Sequence, residues 1–201
     1  MSTQLIYLHK VPTSLQAAFD KKVRNISALL GIDPNWLMQV MYSESGVNPQ
    51  AVNPTGGATG LIQFMPKTAE GLGTTTAALK KLNHVEQLDW VYKYFLPFKG
   101  KMKSYYDVYA VTFFPAMVGK PDSWVLQTPK LSAALIARQN PVIDQVKDGK
   151  ITVGEFKAYV YKTVKGQTYR DIVFGKIQQA VNNAVDNKTA MLVLLGVGFF
   201  F

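Results

Sequence analysis

Apolar residues recur at helical spacing along most of the chain. From Ser14 to Leu30 they fall at Leu15, Ala18, Phe19, Val23, Ile26, Leu29 and Leu30, one face of a helix that Gly31 should end. A second helix is predicted from Asp33 to Glu44, with Asp33 as N-cap, Pro34 at the first helical position and Trp36, Leu37, Val40 and Met41 on its apolar side. Further helices are predicted over Leu61–Gly71 and over Val85–Phe98, the latter with Leu88, Val91, Tyr92 and Phe95 inward. Ser104 to Val118 reads as an aromatic helix interrupted near Pro115. Few stretches alternate with the period of a strand, so the expected fold is all-α.

Near the C-terminus Ile177, Val181, Ala184 and Val185 again recur at helical spacing, and Ala190 to Phe201 is uncharged and strongly apolar. As a helix that last stretch would extend about 18 Å against the ~30 Å hydrocarbon core of a bilayer, too short to span it alone. It suits dipping into a membrane or packing against a partner protein. The expected organisation is an N-terminal segment over 1–13, one domain over 14–165, and a C-terminal helix with a hydrophobic tail over 166–201.

A length of 201 residues suits one sizeable core. Hydrophobic residues at 48% and charged ones at 17% exclude a disordered chain. The net charge of +9 favours polyanions as neighbours, among them teichoic-acid-bearing cell wall, anionic lipid and nucleic acid, and chooses none of them. No nucleic-acid-specific motif is present. Cysteine is absent, so no disulfide contributes, and with only His9 and His84 neither a zinc site of usual composition nor a Ser-His-Asp triad is expected. No cofactor is implied.

The candidate chemistry lies between Glu44 and Ala69: Glu44-Ser45-Gly46-Val47-Asn48-Pro49, Ala51, Gly57-Ala58-Thr59-Gly60-Leu61-Ile62-Gln63-Phe64-Met65-Pro66, then Thr68-Ala69. The run holds one acid, at the end of a mostly apolar helix. Most glycoside-cleaving sites need two carboxylates. With these motifs the chain resembles the soluble lytic transglycosylases, whose lysozyme-like catalytic core works with one. In that family the lone acid protonates the glycosidic oxygen between N-acetylmuramic acid and N-acetylglucosamine. It then takes the proton from the muramoyl C6 hydroxyl, which closes on the anomeric carbon to give a 1,6-anhydro product. The resemblance makes Glu44 the catalytic residue, and its double role requires a pKa raised from about 4.3 toward roughly 6 by an apolar surrounding. Ser45 is expected to hydrogen-bond the carboxyl or a substrate acetamido group. Gly56, Gly57 and Gly60 would let backbone approach a sugar, and Gln63 would orient substrate or acid.

In place of the family's Ala-Tyr-Asn-Ala-Gly motif the chain has Phe113-Phe114-Pro115-Ala116, a pattern more like that of phage-type members. Tyr109 and Phe113 are candidates for stacking on sugars, with packing in the core as the alternative. Glu155-Phe156-Lys157-Ala158-Tyr159-Val160 resembles the last family motif, and Tyr159 is expected to reach Glu44. Asp144 to Glu155 also follows the twelve-residue calcium loop at positions one, five, six, eight and twelve, which makes Asp144, Asp148 and Glu155 candidate metal ligands. Val146 at position three supplies no side-chain oxygen, so a loop kept for its turn geometry is the favoured alternative.

The expected function is peptidoglycan cleavage by a lytic transglycosylase. A hydrolytic muramidase with an unrecognised second carboxylate and a non-catalytic structural or membrane-docking virion protein are the alternatives. Met1 to Pro12 lacks a secretory pattern of basic and then apolar residues, so carriage in a bacteriophage particle, for local opening of the wall during entry, is the expected route.

Overall fold

The computed structural model describes residues 4–164, 166, 169, 170 and 172–174. Of the expected C-terminal helix and hydrophobic tail over 166–201, all but 166, 169, 170 and 172–174 lie outside them. The chain divides into two compact units, Met1–Thr163 and Val164–Phe201. In the second, Arg170 Nε donates to the Val164 carbonyl at 3.0 Å.

The first unit is helical, and among its described residues the only extended pairings are isolated bridges such as Val52 with Thr59 and Thr59 with Phe64. Helix α1 (Thr13–Leu30) buries Phe19, Val23, Ile26 and Leu30 and packs against α2 (Pro34–Ser45) and α5 (His84–Phe95). Helix α2 begins as its sequence dictates: Asp33 caps the Asn35 N–H at 2.9 Å and Pro34 opens the first turn. Every residue from Asn35 to Met41 is buried, so α2 is the central helix rather than an amphipathic one.

Burial on all sides brings polar groups inside, and each has a partner. The Asn35 side-chain Oδ1 accepts from the Ile6 N–H at 3.0 Å, and the Gln39 Oε1 accepts from the Tyr7 hydroxyl at 3.0 Å. Tyr7 also stacks on Tyr42 with ring centres 3.8 Å apart. The N-terminal segment is thereby part of the core, with Leu5, Ile6, Tyr7 and Val11 buried.

Three helices are shorter than their periodicity predicts, each for a local reason. Leu61 to Phe64 is not helical: Thr59 and Phe64 exchange N–H···O bonds of 3.0 and 2.9 Å, Gln63 is left-handed, and Met65 before Pro66 is extended, so α3 starts only at Pro66 (Pro66–Gly71). Helix α5 stops at Phe95 and a 3-10 turn over Leu96–Phe98 carries Pro97. Helix α6 (Tyr105–Phe113) stops because Phe114, preceding Pro115, is extended at φ −155° and ψ 84°. It packs on α2. Two short helices lack a clear apolar period and start instead from hydroxyl caps: α4 (Thr76–Lys80) from Thr75 and α7 (Ala133–Gln139) from Ser132. The last, α8 (Val153–Thr163), buries Phe156 and Val160.

Candidate active site

Glu44 sits in the last turn of the most buried helix, where backbone position is most constrained. The chain leaves α2 through Gly46 at φ +66°, whose N–H bonds the Tyr42 carbonyl at 2.9 Å while Val47 N–H bonds Met41 at 3.2 Å. Val47 itself is left-handed at φ +64°, as is Gln63 at φ +53°. A buried β-branched residue in that conformation costs about 1–3 kcal/mol, and such strain persists only where the surroundings over-determine it. Both strained residues flank the acid.

The Glu44 carboxyl opens into a cleft of about 230 Å³. One wall is the loop Ile62-Gln63-Phe64-Met65 with Thr68; the other is Tyr94 of α5 with Thr112 and Pro115 at the end of α6. Among the described residues no second carboxylate lines it. Burial pushes the Glu44 carboxyl up to about 7, partly opposed by an interaction with the Thr112 side chain. The tyrosines around it stay neutral: burial pushes Tyr94 up to about 12, and Tyr105 and Tyr109 higher still. Tyr94 gives its hydroxyl proton to the Val111 carbonyl at 2.8 Å and meets Phe64 edge-on at 5.9 Å between ring centres. The acid is therefore held in its protonated form near neutrality by desolvation, with no like charge nearby.

The loop opposite is fixed by a residue that periodicity assigned only to a helix. Gln87 of α5 is fully buried and accepts from Leu61 N–H at 2.6 Å while donating to the Pro49 and Leu79 carbonyls at 2.9 and 3.0 Å. Gly60, at φ +86°, lies so close that a Cβ there would come within 2.4 Å of the Gln87 side-chain oxygen. One amide side chain thus joins the turn after Glu44 to the loop that faces it. The signal available in the sequence was a Gln on the apolar face of α5.

The candidate residues fall into different places. Gln63 lines the cleft, with its amide nitrogen donating to the Gly60 carbonyl at 3.1 Å. Ser45 does not reach the carboxyl. Its hydroxyl lies 3.0 Å from both the Met41 and Leu61 carbonyl oxygens and accepts from Asn48 N–H at 3.2 Å, so it ties α2 to the loop instead. Tyr109 and Phe113 stand in an aromatic pile: Tyr109 stacks on Tyr105 at 6.0 Å, and Phe156 of α8 packs against Tyr109 at 5.7 Å and Phe113 at 5.1 Å. Neither lines the cleft. Burial, and after it Glu44 and Tyr159, raise the pKa of the Tyr109 hydroxyl. Thr112, on the cleft wall, was missed in the sequence, where it stood only as part of an aromatic helix.

The calcium-like loop closes on itself. Glu155 accepts from the Gln145, Val146 and Thr152 N–H groups at 3.0, 3.3 and 2.9 Å, and Thr152 caps Glu155 N–H at 3.2 Å, which is a capping box at the start of α8. Burial raises its pKa, but these hydrogen bonds outweigh that and hold it below the usual carboxylate value. Asp144 accepts from Gly149 N–H at 3.2 Å and Asp148 from Lys150 N–H at 3.0 Å. Among the described residues no three acidic, His or Cys side chains converge to hold a metal ion.

Residues 23–89, from mid-α1 through the cleft loop into α5, match the transglycosylase SLT domain family. Over this third of the chain it is similar to the transglycosylase SLT domain. The all-α architecture agrees with a lysozyme-like SLT domain, a family whose activity is that of peptidoglycan lytic transglycosylases. The matched stretch includes Glu44, Gln63 and Gln87. Thr112, Tyr109, Phe113 and Tyr159 lie beyond the SLT match and are placed by the structure alone. No curated protein and no solved structure matches the chain.

Proposed function

We propose that this SLT domain cleaves the bond between N-acetylmuramic acid and N-acetylglucosamine with formation of 1,6-anhydro-muramic acid, and that Glu44 is both acid and base. The observation that carries this reading is a carboxyl raised to about 7 in a cleft that no second carboxylate lines among the described residues. Protonated Glu44 gives its proton to the glycosidic oxygen as that bond breaks. The resulting carboxylate takes the proton of the muramoyl C6 hydroxyl, whose oxygen closes on the anomeric carbon. Atoms balance without water, and Glu44 ends protonated again. Gln63, on the opposite wall, is positioned to hydrogen-bond substrate through its free carbonyl oxygen.

Carriage by a bacteriophage particle belongs to the same proposal, supported by the phage-like Phe113-Phe114-Pro115-Ala116 segment. The apolar stretch from Ala190 to Phe201 would then hold the domain at a membrane or at another virion protein. Digestion of purified peptidoglycan in heavy-oxygen water, followed by mass spectrometry, tests the chemistry. Anhydro products free of the label are expected; reducing ends carrying it would assign the reaction to a hydrolytic muramidase.

A further inference from the structure

Both histidines of the chain line one pocket. His9 of the N-terminal segment and His84, the first residue of α5, meet there with Lys10, Thr13, Val47 and Asn48 around a volume of about 420 Å³. The pocket shares no lining residue with the cleft that holds Glu44, although the turn that follows the acid forms part of its wall. Among the described residues no Asp or Glu lines it. Its donors are uncommitted. The ion pairs of the described residues join Lys22 to Asp89, Arg24 to Asp20 and Lys157 to Asp122, and none of them uses Lys10. The Asn48 side-chain oxygen accepts from Gln50 N–H at 2.9 Å, which leaves the amide nitrogen of that side chain to donate. His9 and Lys10 are exposed, while His84 is half-buried and its ring meets Phe19 edge-on at 6.2 Å between ring centres.

We propose that this pocket is an anion site, separate from the catalytic cleft, in which Lys10, His9 and His84 hold an oxyanion of the cell wall, either a phosphate or a carboxylate. Three segments far apart in sequence bring an ammonium and two imidazoles to one cavity, and an oxyanion entering it meets N–H donors from each side. A cation would meet Lys10 with no carboxylate in the lining to offset it. Burial lowers the His84 pKa below its ordinary value, so near neutrality its imidazole offers a neutral N–H and Lys10 supplies the fixed charge. The site does not depend on the catalytic role of Glu44; only the choice of the wall as the source of the anion does. Phosphate is carried by teichoic acids and carboxylate by the peptide stems.

Because the chain has no other histidine, its imidazole NMR signals report this pocket alone. The full-length protein with labelled histidine is titrated at constant pH with inorganic phosphate, with glutarate as the carboxylate probe, and with chloride at matched ionic strength. Phosphate or glutarate is expected to shift both imidazoles and saturate with a dissociation constant on the order of 1 mM, while chloride leaves them in place. The tighter of the two probes names the source, phosphate the teichoic acids and glutarate the stems. Lys10→Ala, a change at an exposed side chain, should weaken binding about tenfold. The bound anion should also raise the His84 pKa. Glu44→Gln should bind as the parent does, so this site and the catalytic reading fail separately. Shifts that follow ionic strength alike in all three salts, or a Lys10→Ala protein that titrates as the parent does, would overturn the proposal.

Discussion

At the scale of single residues, the site places an acid where its ionised form is costly. A group with a folded pKa of about 7 against an ordinary 4.5 binds more protons folded than unfolded between those values, so stability falls as pH rises through that window. Below about pH 4.5 both states are protonated and the cost vanishes; above about 7 it is fully present, at about 3 kcal/mol. Glu44→Gln removes the titration. Urea unfolding at pH 4 and pH 8.5 is expected to show the variant about as stable as the parent at the lower pH and more stable by up to about 3 kcal/mol at the higher. Equal gaps at both pH values would mean that the carboxyl is not desolvated. The acid was legible in the sequence because a lone Glu at the end of a Trp-Leu-Met-Gln-Val-Met helix has little but apolar neighbours. Thr112 and the true partners of Ser45 were not, since a hydroxyl bonds whatever the tertiary fold brings to it.

At the scale of elements, the cleft depends on a loop that is irregular by design. Periodicity predicted a helix from Leu61, yet Gly60 and Gln63 are left-handed and Gln87 supplies from another helix the partners that a regular helix would have supplied itself. The helix start at Asp33 was legible from its local cap; at Asn83, whose side chain bonds Glu86 N–H at 3.0 Å while Glu86 returns to Asn83 N–H at 2.8 Å, a capping box begins the helix one residue before its apolar period. Helix ends set by Pro97 and Pro115 were blurred by apolar residues continuing past them. The loop gives its own test. Gln87→Leu leaves Leu61 N–H and the Pro49 and Leu79 carbonyls without their partner, a loss of about 3 kcal/mol or more. Gly60→Ala drives a Cβ into the same amide. Both variants should melt lower than the parent and cleave peptidoglycan more slowly. A Gln87→Leu protein with parental melting temperature and rate would show that the loop holds itself.

At the scale of the whole molecule, the cleft is complete within the unit Met1–Thr163, built on a central helix that the N-terminal segment covers. The sequence offered an all-α domain and placed Glu44 at the end of the right helix, but put Leu61 to Phe64 in a helix that starts only at Pro66. It did not show that Leu5 to Val11 belongs to the core, because that segment is too short to display a period and is held by side chains of α2. The positive balance of +9 suits residence in an anionic wall but performs no step of the reaction. In the proposed mechanism bond cleavage rests instead on one carboxyl. The most direct test is the rate at which folded Glu44→Gln releases soluble muropeptides from purified peptidoglycan beside the parent protein. A loss of about a thousandfold is predicted; a rate within tenfold of the parent would contradict the account.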